Sequence, residues 1–251
     1  SPDYKAERKG MPEDLRPQEE LSKEALRAMG IPVLEKKGYE ADDTLGMVAN
    51  YYVDLGYEVM IVTTDKDMAQ LVTDKITTFN PVSKQRFTPE GVEAKFGVAP
   101  DEIVDFLAIM GDSTDGIHGI DKVGQKTAAR WLDEFGSLEG IIDNADLIKG
   151  KVGDNLRESL DRLPLNKQLT TIIADPALLT EEERNALTNP QPNPEEASRL
   201  EEVYGIKAPP ISDSAPAIES KVSSQAPAKS VEPKPRVQRD PEMAFEQGSL
   251  F

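Results

Sequence analysis

Cysteine is absent from this 251-residue chain, which excludes disulfides, thiolate metal sites and a cysteine nucleophile and fits a cytosolic protein. Histidine occurs once, as His118, which speaks against His-based general acid or base chemistry; its Gly-rich setting reads as a loop. No run is apolar enough to span a bilayer, and Ser1-Pro2-Asp3 does not read as a signal peptide, so no membrane partner is expected. A basic excess is also missing. The 29 Lys and Arg stand against 46 Asp and Glu, a net charge of −17, which argues against coating nucleic acid by bulk electrostatics while leaving room for a local grip on phosphates. There is no internal repeat. The chain starts without Met, inside what reads as a motif, and so reads as a fragment. Its length suits one large or two small domains with a sizeable core.

What the chain does have is three short acidic clusters: Glu40-Ala41-Asp42-Asp43, Asp65-Lys66-Asp67 and Gly111-Asp112-Ser113-Thr114-Asp115. Carboxylates brought this close repel unless some protonate or a cation binds. Oxygen ligands without His or Cys suit Mg²⁺ or Mn²⁺ rather than zinc. Two such ions could activate water and stabilise the leaving oxygen of a phosphodiester.

The patterning places these clusters where elements meet loops. Glu13 to Met29 reads as a helix stopped by Gly30, and Ile31 to Leu34 as a short strand. Ala41 to Leu55 has helical spacing, and Glu58 to Thr64 is a β-rich run. Strand, helix, strand predicts a parallel sheet flanked by helices, with ligands beyond the carboxyl ends of the strands. Ile76 to Phe79 and Gln85 to Thr88 predict a hairpin around Asn80-Pro81, followed by helices from Pro89 to Phe96 and from Asp101 to Met110. Further helices are expected at Lys126 to Phe135, Asn155 to Leu163 and Pro194 to Tyr204. Residues 211 to 244 are Ser, Ala, Pro, Glu and Lys with scattered Val, the composition of a disordered linker.

Each cluster alone also has an ordinary reading. Glu40, Asp42 and Asp43 suit the first turn of a helix, Asp65 and Asp67 a strand-to-helix cap, and Asp112 and Asp115 a turn. The ordinary reading weakens when all three fall at one sheet edge.

Taken in order, Tyr4-Lys5-Ala6-Glu7-Arg8, Met11 to Arg16, Glu40 to Asp43, Thr64 to Val72 and Leu107 to Asp115 resemble the 5′-nuclease domain of bacterial DNA polymerase I over about residues 1 to 205. The resemblance implies the flap-endonuclease superfamily: an α/β, PIN-like parallel-sheet core flanked by helices, a helix-three-turn-helix DNA-binding region and removal of 5′ flaps, RNA primers or 5′ ends. It implies DNA with a 5′ flap, nick or RNA primer as partner, in the bacterial nucleoid. Glu40, Asp42, Asp43, Asp65, Asp67, Asp112 and Asp115 resemble the family's carboxylates for two Mg²⁺ or Mn²⁺ ions. Lys5 and Arg8 resemble its catalytic basic residues, although on residue type alone they could be exposed helix cations. Upstream of this start the family carries a further strand and two further Asp residues. Thr64, Gly116 and His118 stand where it usually has Gly, Asn and Pro.

Gly116 to Ala128 puts glycines before a helix, where backbone N–H groups can face phosphate. It resembles the helix-three-turn-helix, which implies duplex contact through Gly116, Gly119, Lys122, Gly124, Lys126 and Thr127, assisted by K⁺. A Gly-rich helix connection is otherwise commonplace, and Trp131 reads more simply as core. The ending Gln247-Gly248-Ser249-Leu250-Phe251 resembles the peptide that docks bacterial replication proteins on the sliding clamp, with Gln247 as hook and Leu250 and Phe251 as anchors; chance resemblance is the alternative. The expected division is a partial nuclease core with an arch remnant over 1–110, a helical DNA-binding region over 111–208 and a linker with the clamp motif over 209–251. Competing readings are a non-catalytic DNA-binding or clamp-binding module and a PIN-like ribonuclease.

Overall fold

The protein is described by a computed structural model covering residues 4–6 and 10–205. Arg8, Gln247, Leu250 and Phe251, with the linker and the clamp motif, lie outside the described residues. Helix α1 (Arg16–Ala28) opens with Pro in its first turn and ends just before Gly30, whose φ of 75° lets the chain reverse. Its apolar face is narrow, so it buries only Ala25 and Ala28, against Leu200 of the last helix, α10 (Pro194–Tyr204).

Residues 31–34 form no strand, contrary to the sequence pattern. Pro32 has no N–H to give a ladder, and Ile31 spends its own on the Leu26 carbonyl at 2.9 Å, closing the end of α1 instead. The next helix, α2 (Ala41–Asp54), turns Met47 and Ala49 inward. Gly46 of α2 lies against Ala174, where a Cβ would come within 2.8 Å of the Ala174 Cβ, so the helix can sit close on the segment around 172–174.

The sheet is mixed rather than all parallel. Strand β1 (Val59–Val62) pairs in parallel with β2 (Ile76–Asn80), in register from Val59 with Ile76 to Val62 with Phe79; β2 then pairs antiparallel with β3 (Gln85–Phe87). The turn between β2 and β3 is closed by Asn80, whose Oδ1 accepts the Val82 and Ser83 N–H groups, each at 2.9 Å. Ile61 and Ile76 pack with Ala49 of α2 and with Met68 and Leu71 from the 3₁₀ turn Asp67–Leu71.

The larger core is helical. After α3 (Pro89–Phe96), helix α4 (Ile103–Met110) is apolar on nearly every side and runs through the centre, which it can do because α5 (Gln125–Phe135), α6 (Leu138–Asp143) and α8 (Leu163–Thr170) surround it. Trp131 is a core residue there, 2% exposed. One charged group enters this core: the Asp105 carboxylate accepts the Leu138 N–H at 2.9 Å and pairs with Lys167 at 2.7 Å, tying three helices together. Helix α7 (Gly150–Ser159) begins earlier than the pattern suggested, and α9 (Glu181–Thr188) precedes α10.

Between α4 and α5 the chain makes a tiny antiparallel ladder, β4 (Gly111–Asp112) against β5 (Ile117–His118), where a loop was expected. A Cβ at Gly111 would run into the Gly119 backbone and one at Gly119 into the Met110 carbonyl, so these two glycines permit the close approach.

Candidate metal centre and nucleic-acid interface

The three acidic clusters are tied to one another by hydrogen bonds and ion pairs between segments distant in sequence. Asp43, in the first turn of α2, accepts the Glu40 N–H at 3.0 Å through Oδ2 and the Ile173 N–H at 2.8 Å through Oδ1. The Gln70 amide accepts the neighbouring Ile172 N–H at 2.9 Å and donates to the carbonyls of Thr170 at 2.9 Å and Asp67 at 3.1 Å. The segment 170–173 thus fixes the first cluster against the second. Tyr4 and Lys5 fix the first against the third: the Tyr4 hydroxyl and the Lys5 ammonium both reach the Glu40 carboxylate, and the Lys5 N–H donates to the Asp115 carbonyl at 2.9 Å. Lys66 closes the set, its ammonium 2.9 Å from Asp112 Oδ2.

Lys5 sits in a turn at φ 56° rather than on a helix. Burial would lower the Lys5 ammonium pKa, but Glu40 and Tyr4 together hold it above its ordinary value.

The electrostatics follow from this crowding. Burial, then Asp65, pushes the Asp67 carboxyl up to about 7, with Asp112 and Asp115 adding to the rise. Asp42 is raised by burial, then by Asp65 and Glu40. Burial would raise Asp112 too, but Lys66 and the N–H groups of Thr114 and Asp115 bring it below its ordinary value. Asp67 Oδ1 is buried with no hydrogen-bond partner among the described residues. A buried, unmatched carboxylate oxygen beside further carboxylates is what a hard divalent cation would satisfy. The donors therefore fit such an ion chemically. Their present spacing is wider than a coordination shell: among the described residues no three acidic or His side chains are grouped closely enough to hold one.

The glycine-bearing segment runs from the β4–β5 turn to the start of α5. Its shape is set by side chains from α7, from α8 and from the turn between them. Asn166 donates to the His118 carbonyl at 2.8 Å and the Ala108 carbonyl at 3.1 Å, Arg162 to His118 at 3.2 Å and Gly119 at 2.8 Å, and Asn155 to Asp121 at 2.6 Å. Nothing in the sequence marked these three, because Asn and Arg on or beside helices are usually solvated. Lys122, at φ 63°, and Lys126 are exposed and make no ion pair among the described residues. Gly124 caps α5, and the Thr127 N–H folds back to its carbonyl at 2.9 Å. Nothing lies within 4 Å of where a Gly124 Cβ would stand. The fold itself does not need glycine there, and the free N–H groups of the α5 first turn are open to approach. Gly116, at φ 70°, takes the turn between β4 and β5.

Residues 1–97 match the 5′-3′ exonuclease N-terminal resolvase-like domain, and residues 98–193 match the 5′-3′ exonuclease C-terminal SAM fold. The chain belongs to the 5′-3′ exonuclease family. Within that family it is 44% identical over 178 residues to DNA polymerase I of Mycobacterium tuberculosis, an alignment covering 69% of this chain and 20% of that relative. It is 37% identical over 191 residues to the 5′-3′ exonuclease of Aquifex aeolicus, covering 76% of this chain and 65% of that relative. The chain thus spans about a fifth of the length of the polymerase relatives it matches. In fold it is similar to the T5 5′-exonuclease with bound zinc, with a TM-score of 0.62 at 22% identity, covering 80% of this chain and 75% of that one. The mixed α/β architecture with its helical half is that of this exonuclease family.

Proposed function

We propose that this chain is the nuclease part of a structure-specific 5′-3′ exonuclease and 5′-flap endonuclease, hydrolysing phosphodiesters of DNA or RNA primers in replication and repair. The observation that carries this is the buried, unpartnered Asp67 Oδ1 at the meeting point of three acidic clusters, in a chain of the 5′-3′ exonuclease family.

Asp65, Asp67, Asp112 and Asp115, with Asp42 and Asp43 from α2 and Glu40 at its N-cap, would hold two Mg²⁺ or Mn²⁺ ions. Such ions, when bound, supply positive charge to the phosphodiester and lower the pKa of an attacking water. Asp43 and Gln70 tie the first two clusters to each other through the 170–173 segment. Lys5 and Arg8 are assigned to the scissile phosphate, where a Lys point charge and a forked Arg neutralise developing charge. Duplex DNA would rest on the loop from Gly116 to Gly124 and the α5 N-terminus, with Gly119 supporting the ladder, Lys122 and Lys126 pairing with phosphates, Thr127 in the first turn, and K⁺ on the turn carbonyls. This assigns 1–110 to the nuclease core and 111–208 to duplex binding.

Cleavage of a 5′-flapped duplex in Mg²⁺, lost on chelation and in Asp67→Asn while flap binding persists, is the expected result. Full cleavage by Asp67→Asn would remove that carboxylate from the site. The wide spacing of the acids favours one second reading, a module that binds flapped DNA without cutting it. Tight binding with no cleavage at any Mn²⁺ concentration would establish that reading instead. Preference for single-stranded RNA would point to a PIN-like ribonuclease.

Residues 209–251 are assigned to a linker and sliding-clamp peptide on sequence alone. A peptide spanning 245–251 should bind the clamp, and Leu250→Ala with Phe251→Ala should abolish it; equal binding by both peptides would make the motif a coincidence.

A further inference from the structure

Two side-chain cations are already built into the acidic centre, Lys5 on Glu40 and Lys66 on Asp112, and the second stands among the Asp residues themselves. Lys66 lies between Asp65 and Asp67 in sequence, yet its ammonium forms its ion pair with Asp112 Oδ2, 2.9 Å away. The Asp112 side chain is 13% exposed and that of Lys66 45% exposed, so the pair sits at the rim of the cluster with the carboxylate inward. The other Asp112 oxygen already accepts the Thr114 N–H at 2.8 Å. Lys66 therefore sets a positive charge on Asp112 Oδ2 where an ion would compete for it, while the neighbouring Asp67 Oδ1 stays unmatched. A single internal ammonium cannot neutralise both.

We propose that Lys66 is a tethered counter-cation of the acidic centre: it holds Asp112 while no divalent ion is bound, yields that oxygen when one binds, and so sets how tightly the centre takes its ions. This rests on the divalent-ion reading given above. Two effects act in the same direction. The entering ion must break the Lys66–Asp112 pair, and the displaced ammonium stays within reach and repels it. A unit charge about 6 Å from a divalent ion, fully screened by water, costs about tenfold in binding. Lys66 thereby keeps the empty centre folded and makes its ion occupancy sensitive to the free ion concentration.

The test is Mn²⁺ binding by calorimetry on the full chain, with thermal melts in chelator and in saturating Mn²⁺, for wild type, Lys66→Gln and Lys66→Arg. Lys66→Gln should bind Mn²⁺ about tenfold more tightly. It should melt lower than wild type in chelator and show a larger rise in melting temperature with Mn²⁺. Lys66→Arg, which keeps the charge, should stay near wild type and guards against a fold defect. If Lys66 merely pinned the Asp65–Asp67 turn to β4, Lys66→Gln would bind Mn²⁺ equally or more weakly and melt lower by the same amount with and without the ion. That result overturns the proposal and leaves the divalent-ion reading standing. Wild type with no saturable Mn²⁺ binding and no melting shift would overturn both.

Discussion

Asp43 and Ile173 are 130 residues apart in sequence and 2.8 Å apart in space, carboxylate oxygen to backbone N–H. Through that bond and Gln70, a stretch with no motif of its own holds the α2 acids against the Asp65–Asp67 turn. Gln70→Leu should then strand the Thr170 carbonyl and the Ile172 N–H together. A loss of about 1–3 kcal/mol in chemical denaturation is expected. A variant as stable as wild type would show that this segment positions nothing.

The pH dependence of the ion-free protein has a definite sign. The Asp67 carboxyl is raised in the fold, from its ordinary range near 3.8 to about 7. A carboxyl raised by folding destabilises the native state as it ionises, so stability should fall as pH rises from about 4 to about 7 and level off above. Because the group is partly solvated, a loss of roughly 2 kcal/mol is the expected scale. Urea denaturation in chelator should show this decline in wild type and a flatter curve in Asp67→Asn. Parallel curves would place the titration elsewhere.

At the α5 N-terminus, Gly124→Ala separates fold from function. The added methyl meets nothing within 4 Å, and the backbone there, at φ −101°, suits alanine. The melting temperature should move only by a degree or two, while duplex affinity should drop about tenfold or more if phosphate approaches the cap closely. Unchanged affinity would take the phosphate away from this turn.

Lys126→Ala addresses the charge of the same surface. Losing one phosphate contact should weaken duplex binding and reduce the slope of log affinity against log salt by about 0.9. Binding measured by anisotropy from low to moderate salt with the same slope as wild type would exclude Lys126 from the interface.

Inside the helical half, Lys167→Met leaves Asp105 facing the core with a single partner, the Leu138 N–H. Stranding a nearly buried charge should cost about 3 kcal/mol, and Asp105→Asn in the same background should recover part of it. Additive losses in a double-mutant cycle would mean that the two groups do not act as a pair.

Much of this protein was legible along the chain, and the division follows the range of the forces involved. Local signals decided α2, β1, the β2–β3 hairpin, α3, α5 and α10: apolar spacing, a Pro in the first turn, and Gly or Asn where the backbone must turn. The acidic clusters were visible because like charges dense enough to demand a cation are rare in any context. Tertiary structure decided what those signals leave open. Residues 31–34 look like a strand but have none, because Pro32 withholds a donor and Ile31 gives its own to the end of α1. Gly111 and Gly119 read as loop glycines until the backbones of β4 and β5 meet across them. Asn155, Arg162 and Asn166 look like solvated helix residues, and only folding brings them under the carbonyls of the loop from 118 to 121. Asp43 looks like a first-turn acid, yet its second oxygen finds Ile173. A hydrogen bond is satisfied over about 3 Å and specified by no local pattern. Which acids are merely solvated, which are paired, and which one, Asp67, is left buried with an oxygen unmatched could be settled only where the distant segments pack.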